Sequence, residues 1–202
     1  IAASGSENQS GFEGPGALKG FEHFLSTVNP EVVGRQAAST AVKMLHAPVC
    51  PAGTMPVVIG DGFGGVIFHE ACGHSLEATS VAVGMSEFCG KLGQQVAAPC
   101  VTAIDDGTIP NGWGSAEMDD EGTPTARNIL IENGVLKSYL VDRLNGRRMG
   151  AAITGSARRQ DYRYAPPSRM TNTFIANGHS TPLGVAKTFA KISENYLFVM
   201  LY

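Results

Sequence analysis

The sequence predicts an α+β fold in which helices flank a mainly antiparallel sheet. An apolar helical repeat covers residues 29–45, an Asn133-Gly134 pair separates two apolar segments, and short strands alternate with turns after about Thr79. Strands joined by tight turns pair antiparallel, whereas parallel strands need long crossover connections. The second half of the chain therefore predicts hairpins, and the first half supplies helices.

The first predicted helix covers residues 29–45. Asn29 is a suitable N-cap, and Pro30 fits the first turn, where no backbone N–H donor is needed. Apolar residues recur at every fourth position and form one face: Val33, Ala37, Ala41 and Leu45. Residues 1–16 are rich in Gly, Ser and polar residues and predict a linker or flexible segment.

The later elements are shorter. A strand over residues 55–59 leads into a glycine-rich turn, and a helix is predicted from residue 66 to about residue 78. Asn133-Gly134 favours a type I′ hairpin turn, because both residues accept positive φ. The remaining elements are strands over residues 100–104, 128–132, 135–140 and 169–176, turns at residues 105–107 and 119–123, and a helix over about residues 182–199.

The helix after the glycine-rich turn carries two histidines that flank a glutamate, in the sequence HEACGH at residues 69–74. Neutral imidazoles are good zinc ligands. A carboxylate beside a metal can accept a proton from water and so generate a nucleophile. His69 and His74 are therefore candidate metal ligands, and Glu70 is a candidate general base. The competing interpretation is that both are hydrogen-bonded core histidines that lie close together by chance.

The spacing of the two histidines requires a distorted helix. Positions four apart differ by about 40° around a helix axis, whereas positions five apart differ by about 140°. His69 and His74 can reach one ion only if the helix bulges or unwinds between them, and a π-type bulge absorbs one additional residue. Gly73 is where this distortion costs least. We therefore expect a bulge near residues 71–73.

Three other sites are weaker alternatives. Gly60, Gly62 and Gly65 match the dinucleotide-binding pattern G-x-G-x-x-G, but the acidic residue expected about 20 residues later is poorly matched, and hairpins follow instead of β–α–β units. A nucleophilic Cys72 is disfavoured because the sequence shows no separate group to orient either imidazole. The acidic residues 119–123 lack the ligand spacing of a calcium loop, so an exposed turn is the simpler prediction.

The composition indicates a globular chain that is not a general polyanion binder. Its 202 residues are 43% hydrophobic and 16% charged, with a net charge of −3, which allows a sizeable core. Seven arginines lie between residues 143 and 169; a solvated face or internal ion pairs explains them more simply than a nucleic-acid contact. The cysteine spacing and the lack of a leader or long apolar run predict a cytoplasmic protein without membrane contact.

Five motifs follow one another between residues 64 and 173, within a similarity to a known family that covers most of residues 10–177. The longest is GGVIFHEACGHSLE at residues 64–77, and the others are DDGT at 105–108, DDEGTPT at 119–125, LIENG at 130–134 and RMTNT at 169–173. Several motifs in a fixed order are far more specific than one. In this order they resemble the TldD branch of the TldD/PmbA metallopeptidases.

This resemblance implies a zinc-dependent peptidase that cleaves peptides and unfolded protein segments. It assigns the zinc to His69 and His74 and the role of general base to Glu70. It also implies a PmbA-type partner subunit and a third ligand, a cysteine, which we expect beyond the end of this chain. We therefore expect residues 17–202 to be the central part of a TldD-type domain, truncated at both ends and not necessarily active alone.

The resemblance leaves one alternative function and one expectation about substrate. The same family was linked to control of DNA gyrase, so a non-catalytic, nucleic-acid-associated regulator is the alternative. For a peptidase, an extended peptide can add to a strand edge through main-chain hydrogen bonds. We expect such an edge near the histidine helix, from the segment around residues 169–174. Arg169 would then meet a peptide carbonyl or carboxylate, or would form a structural ion pair.

Overall fold

The computed structural model describes residues 1–50, 52–55, 57–59, 65–178 and 197–199. These residues belong to two compact units, Ile1–Phe63 with Pro182–Tyr202, and Gly64–Thr181. The strands are β1 (Ala2–Ser4), β2 (Glu7–Gln9), β3 (Val57–Ile59), β4 (Ala103–Asp106), β5 (Arg127–Glu132), β6 (Val135–Leu136), β7 (Thr173–Ile175) and β8 (Leu197–Val199). The α-helices are α1 (Phe21–Thr27), α2 (Pro30–His46), α3 (Gly65–Phe68), α4 (Ala78–Val81) and α5 (Arg143–Met149).

Helix α2 is the longest element among the described residues of the first unit and confirms the predicted helix. The side-chain oxygen of Asn29 accepts hydrogen bonds from the backbone N–H groups of Glu31 and Val32, at 2.9 and 3.3 Å. This is N-capping of the kind that the sequence predicts. All four residues of the predicted apolar face are buried or half-buried, and Ala41 is fully buried.

A hairpin precedes these helices, where the sequence predicts a linker or flexible segment. β1 and β2 pair antiparallel across a turn in which Gly5 has a φ of +60°, and both strands contact α2. Gly11 passes close to this helix, since a Cβ atom there would lie 2.0 Å from the carbonyl oxygen of Ala37. Composition misses the hairpin because each strand is only three residues long and shows no apolar alternation.

The first unit also contains a parallel pair of strands. β3 confirms the strand predicted over residues 55–59 and pairs in register with β8. The helix predicted over residues 182–199 is wrong for its last three residues, which form β8, and its other residues lie outside the described part of the chain. Local periodicity misses this strand because its partner is far away in sequence. The glycine-rich turn at residues 60–64 also lies outside the described residues.

The second unit is built on a four-stranded antiparallel sheet with the order β6-β5-β4-β7. This sheet and the surrounding helices confirm the α+β class. Asn133 and Gly134 both have positive φ, of 50° and 81°, as a type I′ turn requires. β6 is shorter than predicted, because Leu140 leaves the sheet and exchanges backbone hydrogen bonds with Leu76 and Ala78.

Strand β4 corrects one boundary. The sequence predicts a strand over residues 100–104 and a turn at residues 105–107, but Asp105 lies in the strand and is fully buried. Its carboxylate accepts hydrogen bonds from the backbone and hydroxyl of Thr171, at 2.7 and 2.8 Å, and from the hydroxyl of Thr173. A buried carboxylate is tolerated when it is hydrogen-bonded in this way. Thr171 and Thr173 are far from Asp105 in sequence, so the residues around Asp105 do not indicate that it is buried.

The core of the second unit lies between the sheet and the segment after the histidines. It contains the buried residues Leu76, Ala78, Val81, Ala103, Leu130, Ile131, Leu136, Tyr139, Leu140, Val141 and Met170. Leu76 is fully buried in this core, so the segment that carries His69 and His74 ends in packed structure.

Among the described residues, no helix is long and apolar enough to cross a membrane. No disulfide joins the four cysteines, all of which are described.

Candidate metal centre

The helix that carries the histidines is distorted as their spacing requires. Gly65–Phe68 is α-helical, His69–Gly73 is a π-helix, and His74–Leu76 is a 3₁₀ turn. In a π-helix each backbone hydrogen bond spans five residues instead of the four of an α-helix, which accommodates one inserted residue. The expected bulge is therefore observed between the two histidines, and both imidazoles lie on the same side of the helix.

The distortion brings His69, Glu70 and His74 together. One potential ligand atom from each lies within 4.8 Å of the others. The imidazole centroids are 4.8 Å apart with the rings nearly perpendicular, and Nε2 of His74 is 3.9 Å from a carboxylate oxygen of Glu70. Both histidines are half-buried and Glu70 is exposed. Within the part of the chain that the structure describes, no other His, Cys, Asp and Glu group is arranged this way.

Glu77 orients the second histidine. One of its carboxylate oxygens is 3.0 Å from Nδ1 of His74, and the residue is only 4% exposed. A carboxylate in this position accepts a hydrogen bond, so Nδ1 carries the hydrogen and Nε2 is left as the ligand atom. The sequence predicts no separate group that orients either imidazole; this prediction is wrong for His74, which Glu77 orients.

Arg169 lies behind Glu77. Its Nη1 donates to the second carboxylate oxygen of Glu77 at 3.2 Å. Of the roles that the sequence left open for Arg169, the structure shows the ion pair. The three side chains form one chain of contacts from Arg169 through Glu77 to His74. This chain compensates the burial of the Glu77 carboxylate, because a buried charge is costly without a partner.

The segment that carries Arg169 is fixed by bonds on each side. The Asp142 carboxylate, which is 1% exposed, accepts hydrogen bonds from the backbone and hydroxyl of Ser168. The backbone N–H of Arg169 donates to the carbonyl of Ser156 at 2.7 Å. Burial raises the pKa of Asp142, but hydrogen bonds from Ser168 and Asn145 outweigh it and leave the pKa below its ordinary value. Asp142 therefore stays charged and holds the segment.

Gly73 and Met170 form the closest packing in the site. A Cβ atom at Gly73 would lie 2.2 Å from the sulfur of Met170, which is closer than any real contact. Met170 is itself buried, at 3% exposure. The neighbour therefore excludes a side chain at Gly73, whose backbone itself has ordinary helical angles, with φ of −56° and ψ of −55°.

The alternative sites gain no support from the geometry. Burial raises the pKa of the Cys72 thiol, which disfavours the thiolate that a nucleophile needs. In the acidic segment, one oxygen of Asp119 accepts from the backbone N–H groups of Glu121 and Thr123, at 2.9 and 2.8 Å. The residues 119–123 thus form a turn held by Asp119, as predicted.

An open cleft of about 550 Å³ lies beside His74. Its lining residues are His74, Arg158, Arg159, Gln160, Tyr164, Ala165, Pro167 and Arg169. The edge strand β7 contacts both α3 and the π-helix. A strand edge near the histidines is therefore present, as the sequence analysis expected.

Comparisons with known proteins place this geometry in a family. Residues 52–200 match the family described as PmbA/TldA metallopeptidase C-terminal domain. The chain is 42% identical over 178 residues to a Haemophilus influenzae protein named Metalloprotease TldD homolog, covering 86% of this chain and 37% of that protein. It is also 42% identical over 143 residues to a metalloprotease of Methanocaldococcus jannaschii, covering 71% and 32%.

Solved structures agree with this assignment. A Thermotoga maritima protein described as a candidate modulator of a DNA gyrase superposes with a TM-score of 0.68 at 29% identity, covering 80% of this chain and 36% of that one. TldE from Thermococcus kodakarensis has the same fold, with a TM-score of 0.63 at 24% identity, covering 76% and 35%. The chain spans about a third of the length of these proteins. With the family match covering most of its length, the chain belongs to the PmbA/TldD metallopeptidase family.

Proposed function

We propose that the protein is a zinc-dependent peptidase in which His69 and His74 bind the metal and Glu70 is the general base. The observation that carries the proposal is the π-helix between the histidines, because it brings both imidazoles to one side. A core histidine pair would not need this distortion. Since the chain spans about a third of its relatives, the proposal concerns the protein at its full native length.

The donor set fits zinc. Two imidazoles with an adjacent carboxylate are the residue types that zinc peptidase sites use. Two nitrogen ligands of a tetrahedral zinc ion lie about 3.4 Å apart, so the groups need only side-chain rotation to close from 4.8 Å. Zinc would supply Lewis acidity, which lowers the pKa of water and polarises a peptide carbonyl. The family resemblance adds a third ligand, a cysteine outside this chain.

The residues of the chain have separate tasks in this proposal. Glu77 fixes the ring of His74, so that Nε2 faces the metal position. Glu70 is exposed beside the two imidazoles, where it can accept a proton from water and pass it to the leaving amine. Because Glu70 is not held by a close hydrogen bond among the described residues, its carboxylate can rotate toward the substrate.

The proposed substrate is an extended peptide that pairs with β7. Asn172 and Ala176 bond to β4, and antiparallel main-chain groups alternate in direction. The main-chain groups of Thr173 and Ile175 therefore point away from β4, toward an edge that no described strand covers. Pairing of this kind recognises the backbone of the peptide more than its side chains. It suits peptides and unfolded segments, which can present an extended backbone.

Two further parts of the proposal rest on the family. A PmbA-type subunit is the proposed partner, supported by the shared fold of TldE. The cytoplasm is the proposed location, as the resemblance to this family implies.

The test is metal analysis beside peptide cleavage. His69→Ala and His74→Ala should lose bound zinc, whereas the exposed His46→Ala serves as a matched control and should keep it. Glu70→Gln should keep zinc and lose activity by about 10²- to 10⁴-fold, the usual contribution of a general base. Full zinc occupancy in both histidine variants would refute shared ligation. Loss of zinc in Glu70→Gln would make Glu70 a ligand.

The alternative is a nucleic-acid-associated regulator. Its support is the group of arginines between residues 143 and 169 and the gyrase description of the Thermotoga protein. The structure weakens that support, because Arg159, Arg163 and Arg169 each form an ion pair with an acidic residue. Binding through phosphates falls steeply with salt, whereas peptidase activity would respond to a chelator.

A further inference from the structure

The cleft beside His74 is positively charged. Three of its lining residues are Arg158, Arg159 and Arg169, and none of its lining residues is acidic. Its volume of about 550 Å³ is within the range of ligand sites, about 300–1,000 Å³. Since His74 also lines the cleft, a group bound there would lie next to the bond that is cut.

The three arginines are not all neutralised. Arg169 pairs with Glu77 at 3.2 Å, and Arg159 pairs with Asp120 at 3.6 Å. Arg158 is exposed and has no acidic partner among the described residues. The cleft therefore keeps an uncompensated positive charge, apart from any metal ion.

Two of the arginines are held in place. Besides its ion pair, Arg159 donates from Nη2 to the backbone carbonyl of Asp120 at 3.0 Å, and its backbone N–H donates to the Asp120 carboxylate at 2.8 Å. Arg169 is fixed by Glu77. A guanidinium has five N–H donors, so each arginine still has donors for a ligand. Fixed donors lose less side-chain entropy on binding.

We propose that this cleft binds a carboxylate of the peptide substrate and so gives the enzyme a preference for negatively charged peptides. The proposal rests on the proposed peptidase function and adds a substrate class to it. Arginine is well suited to carboxylates, because its N–H groups match the two oxygens. The carboxylate comes either from an acidic side chain or from the free C-terminus of the peptide. Main-chain pairing at β7 would set the path of the peptide, and the cleft would select its charge.

The experiment compares matched peptides on the zinc-loaded protein at full native length. One peptide series carries Glu or Gln at each position around the cut, and a second series carries a free or an amidated C-terminus. A charged group in the cleft should raise kcat/KM by about three- to ten-fold, as expected for a partly exposed ion pair. Arg158→Gln should remove this preference. Arg147→Gln, an exposed arginine outside the cleft, should leave it unchanged.

Binding to the metal-free protein, measured by fluorescence anisotropy, gives a second readout that does not depend on catalysis. A Glu-over-Gln preference that Arg158→Gln abolishes identifies a side-chain carboxylate, and a free-over-amidated preference identifies the terminus. Equal cleavage and binding of all peptides would overturn the cleft proposal while the peptidase proposal stands. Cleavage of no peptide would refute the peptidase proposal instead. Weaker binding of a single-stranded oligonucleotide by Arg158→Gln, without a peptide preference, would also overturn it.

Discussion

His74 and Glu77 are joined by a 3.0 Å contact between Nδ1 and a carboxylate oxygen that is almost completely buried. The contact spans three residues, across a 3₁₀ turn that ends where Glu77 becomes extended. It fixes the ring of one proposed zinc ligand from behind. The four residues His74 to Glu77 therefore act as a unit, with the ligand at one end and its support at the other.

Glu77→Gln should weaken zinc binding without unfolding the protein. The variant keeps an oxygen near Nδ1 but loses the charge that strengthens the hydrogen bond and neutralises Arg169. Support of this kind is typically worth about 10- to 100-fold in metal affinity. Chelator competition measures the change, and Glu132→Gln, on a surface pair with Lys137, is the control. Equal zinc affinity in the Glu77 variant and the wild type would contradict an orienting role.

Gly73→Ala should destabilise the second unit by about 1–3 kcal/mol, the usual cost of overpacking a core. The added methyl group would overlap the sulfur of Met170, which is buried and has little room to move. The cost should nearly disappear in a Met170→Ala background, where the overlap is removed. Urea unfolding of the four proteins in a double-mutant cycle measures this coupling. Additive costs would show that Met170 is not what excludes a side chain at Gly73.

Ile175→Pro should impair peptide binding and leave the sheet intact. The N–H of Ile175 points away from β4, so proline removes a donor from the edge and no bond from the sheet. Loss of one such hydrogen bond should raise the KM for extended peptides by about three- to ten-fold. Phe174→Pro, which removes a donor on the β4 side, should instead unfold the strand. An unchanged KM in Ile175→Pro would move the peptide away from β7.

Extended-peptide binding also predicts that the enzyme distinguishes folded from unfolded substrates. One protein offered in its folded and its unfolded form should be cut much faster when unfolded, because only that form presents a continuous backbone. Equal rates on both forms would refute the edge-strand model.

Arg169→Ala should lower zinc affinity, because Arg169 supports Glu77. An unchanged KM for peptides in this variant would confine Arg169 to that structural role.

Asp142 should make stability depend on pH in the acid range. Its folded pKa is lowered, so its contribution is present above the ordinary pKa of aspartate and is lost as the pH falls through the folded value. The free energy of unfolding should therefore drop below about pH 4. Asp142→Asn should flatten this drop and cost about 2–3 kcal/mol at neutral pH, because the Ser168 bonds are broken. Glu87→Gln, at an exposed position, should do neither.

The sequence predicted the elements that are fixed by interactions between neighbouring residues. The cap at Asn29 and the turn at Asn133-Gly134 were identified because each residue performs its role within its own few neighbours. The bulge was predicted for a different reason: shared ligation by His69 and His74 is impossible on a regular helix. A functional hypothesis therefore predicted a backbone distortion, which the structure contains.

Distant partners explain what was missed. The burial of Asp105 depends on Thr171 and Thr173, and the strand β8 depends on β3. The role of Glu77 had a usable signal, since residues three apart on a helix are neighbours, and Glu77 lies three after His74. The sequence does not indicate that Glu77 is buried or that Arg169 is its second partner.

The π-helix also bears on how the spacing of the motif could change. Removing Cys72 would turn H-E-x-x-x-H into H-E-x-x-H, the spacing in which a regular α-helix already places both histidines on one face. Glu77 would keep its distance of three residues from the second histidine, so the support of that ring would move with it. A shortened chain would thus retain the two proposed ligands and the carboxylate of Glu77. One insertion or deletion, absorbed by a single turn, would convert one type of zinc motif into the other.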